Sequence, residues 1–293
     1  MKAALVILGL LAFFVAPGAQ AADPPPYSQL DVRPFDPDID PDIDMFISDY
    51  REGVPYQEFG GLIVRDIFTK GTGDPMKPEK RGACLTFVDR LSFAKLQGHQ
   101  TTTPSKLDKT QIIFYFSAGE GIIEAGDQRA EIRSGVGVFM PANLEFVIAN
   151  TGNDPIEMYM IVEPLPAGLV PVPEMLVRDE RTIPIGTTKS HWSHILRVFF
   201  YGEDFSKRSG VVTGMCPVWF DPLTMGQPHS HGLGDEEVWF VVEGEPVVLL
   251  GKELRRLKPG MAYKIPPNGT TPHSNINTTD EMIKLVWFMK YTP

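Results

Sequence analysis

Cysteine is scarce in this chain: there are two, Cys84 and Cys216, in 293 residues. That excludes a disulfide-dense scaffold, and two cysteines so far apart form no zinc motif. One bridge or two buried thiols are both compatible with the count. A surplus of positive charge is missing as well. Lys and Arg total 27 against 37 Asp and Glu, for a formal net charge of −10. This argues against nucleic acid as a partner, because phosphate binding needs clustered cations. The same balance argues against docking on an anionic membrane. No apolar run reaches the ~20 residues of a membrane-spanning helix. A phosphate loop, a dinucleotide fingerprint and a Ser-His-Asp pattern are all lacking, and no long helical period is visible.

What is there begins with a leader-like start. Lys2 precedes an apolar stretch over residues 3–15, and Ala19 and Ala21 flank a small-x-small cleavage site. This pattern predicts a signal peptide over 1–21 and an exported, periplasmic or secreted chain with no stable membrane anchor after cleavage. Residues 22–80 read as an acidic, Pro-rich arm and lead-in. Its alternating carboxylates over 36–44 lack the Gly and the terminal Glu of an EF-hand loop, so calcium is not expected there.

From Gly82 onward the chain reads as short β-branched and aromatic runs divided by turn residues. The runs fall at 112–116, 122–125, 130–133, 138–140, 146–148 and 158–162. A Pro-rich connector follows, and a second series falls at 195–201, 211–219, 238–242, 247–250, 261–265 and 283–289. Short strands at such spacing predict an all-β sandwich or barrel. The turn signals repeat between the halves: Gly119 with Gly244, Gly137 with Gly260, Asn150 with Asn277. Two copies of one β-unit follow, at 81–163 and 191–293, with a linker over 164–190.

The sharpest local feature is His229-Ser230-His231. On a strand, residues i and i+2 share a face, so both imidazoles can reach one ion. After a Gly-rich turn come Glu236 and Glu237, and a hairpin is expected to lay their strand beside the His pair. A later loop, PPNGTTP over 266–272, delivers His273.

These residues carry a family resemblance. PHSHGLGDEEVWFVVEG over 228–244 resembles the first cupin motif, in which His-x-His is followed by a Glu and then, after six intervening residues, a Gly. Gly260 through Pro266 and Gly269 to His273 and Asn277 resembles the second motif. The resemblance implies two tandem jelly-roll barrels and one divalent transition metal (Fe, Mn, Zn, Ni or Cu) held by His229, His231, Glu237 and His273. Glu237 fits by its distance to Gly244; Glu236 is the alternative. The second motif carries one extra residue before His273.

The same motifs applied to the first half find Ile112 at the Glu position and Phe146 at the last His position, with His99 as a remnant of the pair. That barrel is expected to lack a metal. Glu236 and Tyr263 are candidates for proton transfer. Gln227, Trp239 and Asn275 are candidate contacts for a small-molecule substrate, and His191 and His194 could border the pocket. The resemblance implies a metal-dependent enzyme on a hydroxylated or carboxylated compound, with dioxygenase-like chemistry ahead of isomerase or lyase chemistry on sugar acids. A non-catalytic metal-assisted binder of a sugar or organic acid and a structural protein with a vestigial site are the other readings. Self-association is a further expectation.

Overall fold

The computed structural model describes residues 36, 40–186 and 194–291. The expected leader, most of the acidic arm and His191 lie outside the described residues. Among those described, no helix is long and apolar enough to cross a membrane.

Strand Thr110–Ala118 shows why this sequence makes sheets that are buried on both sides. Its run of apolar residues has no polar face. Ile112, Phe114 and Phe116 join one hydrophobic core, while Ile113 and Tyr115 join another. Successive side chains alternate across the pleat, so each core takes every second residue. Strand Ile156–Pro164, its antiparallel neighbour, divides in the same way: Met158, Met160 and Val162 to one core, Tyr159 and Ile161 to the other. Fully burying each such side chain contributes roughly 1.5–3 kcal/mol.

The first core is the interior of a jelly roll made by a seven-stranded and a three-stranded sheet. The second core fills the matching roll of the other half, an eight-stranded and a three-stranded sheet, and continues into the contact between the halves. Tyr159 stacks on Phe240 with ring centroids 4.2 Å apart, and its hydroxyl donates to the Val241 carbonyl at 2.7 Å. The repeat seen in the turns is also a repeat of hydrogen bonds. Asn150 donates from Nδ2 to Leu96 and Asp154 carbonyls and accepts from Gly152 N–H. Asn277 does the same with Phe220, Glu281 and Thr279. Gly119 and Gly244 both adopt positive φ, +78° and +77°, where a Cβ would also collide with the facing strand.

Two expectations change. Strands begin well before Gly82: Tyr56–Glu58 and Leu62–Thr69 extend the sheet of the first half. Ile47–Asp49 instead pairs with Met261–Lys264, in the sheet of the second half. The alternation of Leu62–Thr69 is broken by a bulge between Asp66 and Phe68, which hides the period in the sequence. The Pro-rich connector is likewise not plain coil. Leu176–Asp179 joins the first sheet and Ile185–Gly186 joins the second. A short helix, Glu203–Ser209, stands between the runs expected at 195–201 and 211–219. Cys84 and Cys216 are free, buried thiols.

Candidate metal centre

Three imidazoles converge inside the second roll. His229, His231 and His273 each offer a ring nitrogen, and these atoms all lie within 4.8 Å of one another. The ring centroids are 4.4 to 5.1 Å apart. His273 opens strand His273–Ile276 of the three-stranded sheet and exchanges both backbone hydrogen bonds with His229, at 2.9 and 3.3 Å. His229 is in an isolated bridge rather than a regular strand. The Asp235 carboxylate accepts from Gly232 N–H at 2.9 Å and closes the turn that follows His231.

The fourth group arrives from the opposite sheet. Glu237 lies on Glu236–Glu243, which pairs with Met261–Lys264 and Ile283–Lys290. The hairpin expected beside the His pair is therefore not formed; Glu237 reaches the histidines across the interior. Its carboxylate oxygens stand 3.0 Å from His231 Nε2 and 3.3 Å from His273 Nε2. His231 Nε2 is buried yet makes no bond of hydrogen-bond geometry. A buried nitrogen aimed at a carboxylate and two other imidazoles in this way fits an ion. The donor set, three nitrogens and one oxygen, suits a first-row transition metal and leaves further positions open on a five- or six-coordinate ion.

The electrostatics agree. Burial alone would raise the Glu237 carboxyl, but His231 and His273 beside it hold it far below the usual carboxylate range. Burial opposes charge on His231, and the adjacent Glu237 outweighs it and raises the imidazole. Burial and the neighbouring His273 lower His229. His229 Nδ1 lies 2.9 Å from the Gln227 carbonyl, which places the proton on Nδ1 and leaves Nε2 as the donor to a metal.

The other expected site residues fall in different places. Gln227 serves through its main chain, and its side chain is exposed. Trp239 is buried, and its indole N–H donates to Glu237. Tyr263 is fully buried, parallel to Trp239, and its hydroxyl donates to Asn275 Oδ1 at 3.1 Å. Burial and then the Glu237 charge push the Tyr263 phenol well above its ordinary value.

Glu236 does not stand with Glu237. It faces the first half of the chain and accepts from the backbone N–H groups of Thr86, Phe87 and Val88 at 2.5 to 3.3 Å. Lys264 Nζ lies 4.0 Å away, also buried. Proton transfer by Glu236 at the metal is ruled out by this placement: strand alternation turns adjacent residues to opposite faces. Tyr291, absent from the sequence reading, stands near the site, its ring 6.4 Å from that of His231. It follows the last strand with no motif to mark it. His194 opens strand His194–Arg197.

The first half has the same frame and none of the ligands. Ser105 exchanges backbone hydrogen bonds with Phe146 at 2.9 and 3.0 Å, as His229 does with His273. Ser105 and Leu107 thus occupy the places of His229 and His231. His99 is not their remnant: it is exposed, with its Nε2 2.9 Å from Asn153 Oδ1. Ile112 and Phe146 are buried in the apolar core. Among the described residues, the second half holds the one cluster of three or more potential metal-binding side chains.

Residues 218–289 match the family model of the cupin domain. No curated protein matches the chain. Among solved structures, the putative glyoxylate induced protein from Pseudomonas aeruginosa superposes with a TM-score of 0.64 at 13% identity, covering 84% of this chain and 87% of that one. Vicilin from Corylus avellana (hazelnut) gives 0.61 at 11% identity, covering 84% and 85%. Bacillus subtilis oxalate decarboxylase, in a structure concerned with its Mn(II) centres, gives 0.61 at 12% identity, covering 84% and 78%. Residues 218–289 are thus similar to the cupin domain, and the solved structures share the fold of the chain.

Proposed function

We propose that the chain binds one divalent transition metal through His229, His231, His273 and Glu237 and acts on a small hydroxylated or carboxylated compound. The observation that carries this reading is the convergence of three imidazoles, from a loop and the small sheet, on an ionised carboxylate from the large sheet. When bound, the metal would supply Lewis-acid or redox chemistry at its open positions, and dioxygenase-like chemistry is the form favoured here. The chain's own residues do the positioning. The Gln227 carbonyl sets the His229 tautomer, Trp239 N–H holds the Glu237 carboxylate, and Tyr263 with Asn275 closes the interior beneath. The structural neighbours named for oxalate and glyoxylate support a small oxo- or hydroxy-acid as the first substrate class to test, and the Mn(II) centres of one of them support manganese as the first metal.

A non-catalytic binder of an organic acid is the second reading, favoured by one observation. Neither residue expected to move protons is free to do so at the metal: Glu236 faces away, and Tyr263 is buried and hydrogen-bonded. Export to the periplasm or beyond belongs to the same proposal and rests on the leader-like start.

Elemental analysis of the purified chain beside a His229→Ala/His231→Ala variant tests the metal. Near one equivalent of a single metal is expected in the first and none in the second. Absence of metal from both, after reconstitution with Mn, Fe or Zn, defeats the reading. Incubation of the loaded protein with oxo- and hydroxy-acids, with oxygen uptake and product both measured, then separates enzyme from binder.

A further inference from the structure

A second, unassigned cavity of about 330 Å³ is lined by residues of strand Leu176–Asp179 and of the short helix Glu203–Ser209. Its aromatic lining is packed and buried. Phe200 and Phe205 stack with centroids 5.0 Å apart and planes 23° from parallel, and both are almost fully buried. Tyr201 adds a half-exposed ring. Three cations, Arg178, Lys207 and Arg208, line the cavity, and among the described residues no carboxylate does. This runs against the composition of a chain with ten more acidic than basic residues, 37 less 27.

Lys207 meets Glu203 at 2.6 Å, both side chains exposed, a pair that contributes little. Among the described residues, neither Arg178 nor Arg208 has an ion-pair partner, and the one side-chain hydrogen bond of Arg178 is to a main-chain carbonyl. Exposed arginines alone carry no meaning. Two arginines beside the accessible ring of Tyr201 and the partly exposed Leu176 match a ligand that is flat and apolar at one end and anionic at the other. Guanidinium groups bind carboxylates in bidentate fashion, and a cavity at the small end of the range for ligand sites suits a compact molecule.

The cavity is separate from the metal centre. Tyr201, Gly214, Met289 and Glu237 are direct partners on four neighbouring strands. Three strand spacings of ~4.8 Å put Tyr201 about 14 Å from Glu237 along the sheet.

We propose that this cavity binds a small aromatic carboxylate, its ring against Tyr201 and Leu176 over the buried Phe200–Phe205 stack and its carboxylate on Arg178 and Arg208. The test is calorimetric titration of the full, chelator-stripped chain with sodium benzoate, and with benzyl alcohol as the neutral counterpart. Working without metal keeps the outcome independent of the proposed metal function. One saturable benzoate site is expected, with benzyl alcohol at least ten-fold weaker. The Arg178→Ala/Arg208→Ala variant is expected to lose at least ten-fold in benzoate affinity at unchanged Tm, and His229→Ala/His231→Ala to bind as the parent does. Should the alanine variant lose stability, Arg178→Lys/Arg208→Lys is read instead, with a partial loss expected. No saturable benzoate binding, an affinity unchanged in the arginine variant, or loss only in the histidine variant would overturn the proposal.

Discussion

Trp239 donates its indole N–H to the carboxylate of Glu237, two residues earlier on the same strand face. The bond holds the only carboxylate among the four candidate ligands, which is otherwise met by imidazoles alone. Removing such an outer partner typically costs about 10–100-fold in metal affinity. Trp239→Phe is therefore expected to keep the fold and weaken metal binding by that order, measured by competition with a chelator of known affinity. An unchanged affinity would show that Glu237 is positioned by packing alone.

Glu236 is expected to matter for stability and not for metal. Its carboxylate takes three backbone N–H groups from the other half and faces buried Lys264. Glu236→Gln leaves a buried ammonium without its counter-charge, which costs about 3–5 kcal/mol. Thermal denaturation should show the loss while metal content per chain stays the same. A fall in metal content at unchanged stability would contradict this assignment.

The interior of the first half should behave as core. Phe146 is 1% exposed and packs edge-on to Phe114 and Phe59. Phe146→Ala is expected to cost about 3–5 kcal/mol, as large aromatic deletions do. Denaturant titration reads this directly, and a cost under about 1 kcal/mol would mean that the pocket collapses or is hydrated.

Glu163 links stability to pH. It is buried and accepts from Gln111 Nε2, Ser209 Oγ and Val212 N–H at 2.8 to 3.1 Å. Burial outweighs these bonds and pushes its carboxyl up to about 8 from an ordinary 4.5. An acid raised in the folded state holds its proton more tightly there than in the unfolded chain. Its contribution is full below the unfolded value and is lost as pH rises through the folded one. Unfolding free energy should therefore show a decline between about pH 5 and pH 8 that is flatter in Glu163→Gln. Parallel profiles for the two proteins would remove Glu163 as the cause.

Cys84 and Cys216 are expected to stay reduced and inert. Burial pushes both thiols up to about 12, far from the thiolate that reacts. A thiol reagent should label neither in the native protein and both in denaturant, and a reductant should leave Tm unchanged.

Much of the site is legible in the sequence because ligand identity is local chemistry. His229, His231 and His273 announce themselves by residue type and spacing, and Glu237 by its distance to Gly244. The apolar runs mark their strands for the same reason, since a strand buried on both faces needs no partner to look apolar. What stays hidden depends on distant contacts. The strands over 47–69 carry Asp, Arg and Glu and a bulge, so their period is lost until their neighbours are seen. Ser105 and Leu107 cannot be matched to His229 and His231 by eye, because what defines the match is a backbone bridge to Phe146.

By itself the sequence determined the all-β class, the four candidate ligands and the loss of their counterparts at Ile112 and Phe146, because alternation and donor chemistry act over a few residues. Tertiary structure alone decided which sheet brings Glu237 to the histidines and that Glu236, one position away, fastens the other half of the chain. The physical reason is the pleat: adjacent residues point to opposite faces, and what waits on each face is set by segments 36 to 150 residues away.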